Sequence, residues 1–97
     1  MKVRFTRRAA LRAKKVRADW RGTRSLAPEL FDEELSALVR QLETIEHFGT
    51  PHPTPRRPWL KRTLLEGTQV HVYFETLKGE IRILMLWHAR RAREPKL

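Results

Sequence analysis

The sequence predicts an α+β fold of two layers, in which an N-terminal strand and a helical hairpin pack on a twisted antiparallel sheet completed by three C-terminal strands. The chain has 97 residues, 40% of them hydrophobic, and this length suits one domain, residues 1–97, with a single core. Apolar residues recur at helical spacing in the first half, and strand patterns follow one another in the second half. Consecutive strands favour an antiparallel sheet, with the helical pair covering one face.

The first two predicted elements are a strand and a basic helix. Residues 2–6 alternate polar and apolar side chains, which is the pattern of a strand with one buried face. Thr6 is placed to cap a helix that runs from Arg7 to about Trp20. A break between helices is expected at Arg21–Leu26, which contains a glycine. The apolar stripe of this helix is thin and consists of Ala9, Ala13, Val16 and Trp20.

The second helix has the strongest amphipathic pattern in the chain. Pro28 suits its first turn, acidic residues follow near the positive end of the helix dipole, and Gly49 is expected to end it. Its apolar residues repeat at spacings of four and three, which predicts a helix face buried in the core. They are Phe31, Leu35, Leu38, Leu42 and Ile45.

A proline-rich segment and three strands make up the rest of the chain. Thr50–Pro58 contains four prolines, so an extended loop is expected rather than a regular element. Strands are predicted at Leu60–Glu66, Gln69–Thr76 and Glu80–His88, with a tight connection at Leu77–Gly79.

The net charge of +10 is concentrated at the two ends of the chain. Residues 1–24 carry ten basic residues and one acidic residue, whereas residues 25–48 carry six acidic residues and one arginine. Residues 49–97 carry ten basic and four acidic residues. A balance this basic favours an anionic partner, which would be nucleic acid, an acidic protein or a membrane surface.

Several classes of protein are excluded by composition. Cysteine is absent, so neither disulfides nor cysteine-ligated zinc can form, which fits a reducing compartment. The longest apolar run, Ile83–Trp87, is too short to span a bilayer. The basic N-terminus lacks the apolar stretch of a secretory signal, so a cytoplasmic protein is expected. His47, His52 and His71 match no zinc spacing, and neither a metal nor a cofactor is expected.

Three segments of the second half resemble the RelE/ParE superfamily of bacterial toxins. They read RRPWLKR at residues 56–62, VHVYFE at 70–75 and IRILMLWHARR at 81–91. A closing strand of the form I-R-I-L-x-x-x-H-x-R-R in a chain of this length is typical of that family. The resemblance covers about the last forty residues in sequence and the whole chain in element order.

This resemblance implies a type II toxin, a growth inhibitor of the kind that stabilises plasmids, which a cognate antitoxin holds inactive in a hetero-oligomer. RelE-like members cut messenger RNA on the ribosome without a metal, and ParE-like members poison DNA gyrase. RelE-like nucleases usually keep a tyrosine shortly after the last strand, whereas Tyr73 is the only tyrosine here. The ParE-like branch is therefore favoured, and the RelE-like nuclease and a non-toxic relative that only binds are the alternatives.

A nuclease would need a base, an acid and cations around one phosphate. The expected strand alternation places His71, Tyr73 and Glu75 on the open face of the sheet, together with Arg82 and His88 of the last strand. If the protein is RelE-like, the predicted catalytic residues are Lys61, Arg62, Arg82 and His88. The same residue types are also common on any open sheet surface.

The basic first helix and the end of the last strand are candidates for binding the target or an acidic antitoxin segment. A solvated charged face is the plainer interpretation, and the helix lacks the Asn and Gln residues that read bases. Trp59, which follows a proline at the loop's end, is a candidate contact residue. The predicted target or partner residues are Arg8, Arg12, Lys15, Trp59, His71, Tyr73, Arg90 and Arg91.

Overall fold

The computed structural model describes residues 1–23 and 26–97. In these residues two helices and five strands occur in the order strand, helix, helix, then four strands. They are β1 (Lys2–Phe5), α1 (Arg7–Thr23), α2 (Leu30–Thr44), β2 (Thr50–Pro51), β3 (Lys61–Leu65), β4 (Val70–Leu77) and β5 (Glu80–His88).

The strands form one sheet in the order β1-β5-β4-β3-β2. The predicted antiparallel pairing holds for β3, β4 and β5, which follow one another along the chain. The sheet as a whole is mixed, because β1 lies parallel to β5, with Val3 opposite Ile81 and Phe5 opposite Ile83. Strand alternation determines which face is buried and carries no information on direction, so the sequence pattern could not indicate this parallel pair.

Both helices pack on the same face of the sheet, which confirms the predicted two-layer architecture. The larger core cluster joins the apolar stripes of the helices to one face of the strands. Its buried members are Ala9, Ala13, Phe31, Leu35, Leu38, Leu42, Leu65, Val70, Val72, Phe74, Ile81, Ile83 and Leu86. Arg17 and Arg21 of α1 form ion pairs with Asp32 of α2, so charge as well as apolar contact holds the hairpin together.

The predicted start of α1 agrees with the structure, whereas α2 begins at Leu30, two residues after Pro28, which was expected in its first turn. The Thr6 hydroxyl accepts a hydrogen bond from the Ala9 N–H at 3.1 Å, as expected of a cap. The predicted end of α1 at Trp20 is wrong, because the helix continues to Thr23. Residues 21–23 of the expected break are therefore helical, and residues 24 and 25 lie outside the described residues.

The predicted end of α2 at Gly49 is also wrong, because Thr44 is the last helical residue. Ile45 has an extended backbone (φ −104°, ψ 116°), and the chain then turns through His47 and Gly49, both with positive φ. A Cβ at position 49 would lie 2.6 Å from the Phe74 ring, so a glycine is required there to let the chain pass.

The proline-rich segment enters the sheet before it becomes a loop. Thr50 and Pro51 pair with Arg62 and Lys61 as the edge strand β2, whereas the whole segment was expected to be a loop. A two-residue edge strand that contains proline is permitted because one side of an edge strand makes no ladder hydrogen bonds.

A bulge at Leu84 divides β5 into two parts. Tyr73 lies opposite Met85 and Phe74 lies opposite Ile83, so Leu84 is an extra residue between two pairs. The side chains that follow Leu84 therefore point to the face opposite to the one that unbroken strand alternation predicts. Unbroken alternation would place Ile81, Ile83, Met85 and Trp87 on one side of the strand. Instead, Ile81 and Ile83 lie in the helix-side core, whereas Met85 and Trp87 pack on the other face.

A second, smaller core lies on the face of the sheet away from the helices. Leu60, Tyr73, Leu84 and Met85 are buried there. Trp87 and Leu97 pack against them, so the segment after β5, residues 89–97, covers part of the face that the sequence predicted to be open.

Candidate functional site

A basic groove lies on the helix side of the molecule, between α1, the β3–β4 turn and the end of β5. It encloses about 300 Å³. Its apolar floor consists of Val16, Trp20, Val70 and Leu86, and its basic residues are Arg12, Lys15, His88, Arg90 and Arg91. Four of the predicted partner residues therefore lie around one groove, although the sequence separates them by up to 79 positions.

Two arginines of this groove flank Trp87. The guanidinium carbons of Arg12 and Arg91 lie 4.7 Å and 4.1 Å from its ring centroid, which is the range of cation–π contact. Burial lowers the pKa of Arg12, and the charges of Arg91 and Arg8 lower it further. Like charges gathered at this density are better stabilised when an anion lies among them.

The far face of the sheet carries a second group of polar side chains, which we call the open-face cluster: His52, Arg62, His71, Tyr73 and Glu94. The rings of His52 and His71 meet Tyr73 edge-on, at centroid distances of 5.8 Å and 6.2 Å. The Arg62 guanidinium lies 6.0 Å from the Tyr73 ring, and a Glu94 carboxylate oxygen lies 2.6 Å from His52 Nε2, within ion-pair distance. Tyr73 is thus the buried centre of this cluster.

The environment of His71 lowers its pKa. Burial lowers its pKa most strongly, and the nearby charges of Arg62 and His52 lower it further, while Glu94 acts in the opposite direction. Its Nδ1 atom is buried and has no hydrogen-bond partner among the described residues. A neutral imidazole with an unpaired nitrogen is able to accept a proton or donate a hydrogen bond.

A second groove of the molecule is mainly apolar. It encloses about 730 Å³ between the end of α2, the proline-rich loop and β4. Trp59 lines it and is 71% exposed, and Lys61 lies in the same wall. Trp59 is therefore free to contact a partner, whereas Trp20 and Trp87 are both partly buried against the two cores.

The part of the chain that the structure describes contains neither a cluster of metal ligands nor a helix suited to cross a membrane. No three His, Asp or Glu side chains converge there as metal ligands. None of the described helices has the length and apolar character that crossing a bilayer requires.

Comparison with known proteins gives structural likeness without sequence likeness. No family model matches the chain, and no curated protein is similar to it in sequence. A chain of the chromosomal ParDE toxin–antitoxin system from P. aeruginosa superimposes with a TM-score of 0.74 at 20% identity, over 93% of this chain and 97% of that one. The chain has the RelE/ParE fold.

Two further solved structures agree with this assignment. The isolated E. coli RelE toxin has a TM-score of 0.61 at 17% identity, over 94% of this chain and 86% of that one. A YoeB/ParE toxin from Agrobacterium tumefaciens has a TM-score of 0.60 at 12% identity, over 91% and 98%. The resemblance stated from the C-terminal segments is thereby confirmed at the level of the RelE/ParE fold.

The RelE/ParE fold of this chain does not bring the four predicted nuclease residues together. Arg62 lies beside Tyr73 and Arg82 beside Glu75, both on the open face. Lys61 lies on the helix side in the wall of the apolar groove. His88 lies opposite Val70 and lines the basic groove. The expectation that Arg82 and His88 share a face is wrong, because the bulge at Leu84 reverses the alternation between them.

The structure also places residues that the sequence did not single out. His52 and Glu94 join the open-face cluster from loops, and loop residues give no periodic signal. Arg57 donates a hydrogen bond at 2.8 Å to the buried carboxylate of Glu75, so Glu75 is paired in the sheet. Whether any predicted residue binds a target or partner stays a prediction.

Proposed function

We propose that this protein is the toxin of a type II toxin–antitoxin pair, that a cognate antitoxin inactivates it in a hetero-oligomer, and that it inhibits DNA gyrase by binding rather than by cutting RNA. The toxin assignment is supported by the RelE/ParE fold over nearly the whole chain. The binding mechanism is supported by one observation above all, the separation of Lys61 and His88 from Arg62 and Arg82 by the sheet.

Metal-free cleavage of RNA requires its acid, base and cations within hydrogen-bond reach of a single phosphate. Side chains on opposite faces of a sheet cannot reach the same phosphate, since their Cβ atoms point in opposite directions. The absence of a tyrosine after β5 agrees with this. Gyrase inhibition makes no such demand, because binding alone is sufficient.

The neutralising partner is an antitoxin with an acidic segment. The basic groove supplies Arg12, Lys15, Arg90 and Arg91 around an apolar floor, a combination that suits a peptide carrying both carboxylates and an apolar side chain. The cytoplasm of a bacterium is the compartment that suits both this partner and the proposed target.

A supercoiling assay with purified gyrase tests the proposal. We expect the protein to inhibit supercoiling, and we expect Arg82→Ala and His88→Ala to retain at least half of that inhibition, because neither is needed to cut a bond. Full loss of toxicity in either variant, with gyrase unaffected by the parent protein, would contradict it.

The second candidate function is a ribosome-dependent messenger RNA endonuclease. The observation that favours it is the open-face cluster, where His71, with a lowered pKa, and Arg62 both lie beside the Tyr73 ring. This function predicts cleavage of messenger RNA on ribosomes, abolished by Arg62→Ala and unaffected by His88→Ala. A non-toxic relative, the third possibility from the sequence, would affect neither gyrase nor ribosomes.

A further inference from the structure

The apolar groove gathers half of the large apolar side chains that the described residues expose. Met1, Ile45 and Trp59 lie in it, out of six such side chains in this part of the chain. Single apolar residues scattered over a surface are normal, whereas several around one cavity mark a contact surface. Trp59 is the largest of the three, and tryptophan is one of the residue types that contribute most to binding energy at interfaces.

The charged side chains of the apolar groove carry both signs and are unpaired within the chain. Glu43 lies at the end of α2, Glu46 lies just after it, and Lys61 lies on β3. Among the described residues, none of these three side chains forms an ion pair. An ion pair with a second molecule would therefore not have to break one inside this chain.

The net charge of the chain limits which molecule can cover this groove. A nucleic acid or an acidic protein would bring negative charge towards Glu43 and Glu46, which is unfavourable. Two copies of this chain, each carrying +10, repel each other wherever their basic surfaces meet. The apolar groove is different, because its side chains include two glutamates and one lysine. Two copies are therefore able to meet here without an excess of positive charge on either side.

We propose that the apolar groove is the interface of a homodimer, in which Trp59 of each copy enters the groove of the other and Lys61 faces the other copy's Glu43 and Glu46. A two-fold contact uses the same surface twice, so that surface has to be complementary to itself. An exposed indole beside a cavity, with charges of both signs, meets this requirement. The basic groove shares no lining residue with this interface, so the dimer leaves that groove free, and dimerisation does not depend on the proposed inhibition of gyrase.

Sedimentation equilibrium of the protein without a partner tests this interface. In about 0.15 M salt, which screens the charges on the rest of the surface, the protein should change from monomer to dimer between about 1 µM and about 1 mM. Trp59→Ala should weaken the dimer at least about tenfold, because it removes the side chain that fills the groove of the other copy. Leu11→Ala is the matched control, since Leu11 is 60% exposed on α1 and lies outside the groove. It should dimerise like the parent protein.

Charge reversal distinguishes a two-fold interface from unspecific association through an exposed indole. Lys61→Glu gives the groove three acidic side chains, and the double variant Glu43→Lys, Glu46→Lys gives it three lysines. Each variant alone should dimerise at least about fivefold more weakly than the parent protein, because like charges face each other across the interface. An equimolar mixture of the two variants should recover the affinity of the parent, since each carboxylate then faces a lysine.

A protein that stays monomeric up to about 1 mM overturns the proposal, as does a mixture that associates no more tightly than its two components alone. Equal dissociation constants for Trp59→Ala and Leu11→Ala would overturn it as well. If the protein is monomeric and Trp59→Ala lowers its affinity for an acidic antitoxin, the antitoxin and not a second copy covers the groove, which likewise contradicts the homodimer.

Discussion

At the scale of single residues, protonation of the His71 imidazole is linked to the stability of the folded protein. Its pKa is lowered in the folded protein, first by burial and then by Arg62 and His52, whereas an unfolded histidine has a pKa of about 6.5. Below about pH 6.5 the unfolded chain therefore binds a proton that the folded chain binds less strongly, and stability falls as the pH decreases. The loss is complete once the pH is below the pKa of the folded form.

We therefore expect the free energy of unfolding to fall between pH 7.5 and pH 5, and His71→Gln to remove part of that fall. Urea denaturation at both pH values measures the difference. His47→Asn is the matched control, because His47 is an exposed histidine with a positive φ that asparagine tolerates. Equal losses in the parent and in His71→Gln would contradict the assigned environment.

At the scale of elements, one carboxylate joins α2 to the β3–β4 turn. Glu34 accepts hydrogen bonds from the Gly67 and Thr68 backbone N–H groups at 2.7 Å and 2.9 Å, and from the Thr68 hydroxyl at 2.7 Å. Thr68 is buried, so its N–H has no ready alternative in water. The turn that borders the basic groove is thereby fixed to the helical layer.

Glu34→Ala should lower the free energy of unfolding by about 2 kcal/mol, because partly buried donors lose a charged acceptor. Chemical denaturation measures this change. Glu33→Ala removes the same charge from the same exposed helix turn and should cost at most about 0.5–1 kcal/mol through the helix dipole. Similar losses in the two variants would show that the helix dipole, and not the contact with the turn, is what Glu34 contributes.

Most elements were predictable from the sequence because burial is periodic. Of the five residues predicted for the buried face of α2, Phe31, Leu35, Leu38 and Leu42 are in the core. The prediction is wrong for Ile45, which follows the end of the helix and is 47% exposed. Thr6 was recognisable as a cap because capping needs a specific side chain at a specific place. The strand alternation in β4 likewise placed His71 and Tyr73 on the open face.

The candidate site was less predictable, for physical reasons. Residues 83–87 are apolar throughout, so the extra residue at Leu84 leaves no trace in the pattern, although it decides the face of His88. The approach of Glu94 to His52 depends on the path of two loops, which tertiary contacts determine and periodicity does not report.

At the scale of the whole molecule, the excess positive charge is the feature that most constrains a partner, which has to be anionic to complement it. Both basic ends of the chain contribute to the basic groove, Arg12 and Lys15 from one end and Arg90 and Arg91 from the other. The acidic segment that separates them in sequence is used elsewhere, since Asp32 pairs with Arg17 and Arg21. Asp19 lies in the groove itself, 3.9 Å from Lys15, and we expect the groove's arginines to meet an acidic partner.

We expect co-expression with an acidic antitoxin to raise the melting temperature of the protein by more than about 10 °C. A partner at a hundred times its Kd adds about 2.7 kcal/mol to the free energy of unfolding. Each kcal/mol raises the melting temperature of a domain of this size by several degrees. Differential scanning calorimetry of the complex measures this. The gain should shrink in high salt and in Arg12→Gln, but not in Arg40→Gln, an exposed arginine of α2 away from the groove. An unchanged melting temperature with the partner present would contradict the antitoxin assignment.

The central claim, that this RelE/ParE fold stops growth through gyrase, is tested most directly by pulse induction in bacteria that lack the antitoxin. Incorporation of labelled thymidine and labelled methionine is followed over the first minutes. Loss of thymidine incorporation before methionine incorporation, in the parent protein and in His88→Ala alike, is the predicted result. Collapse of methionine incorporation while DNA synthesis continues would contradict the claim and favour the nuclease.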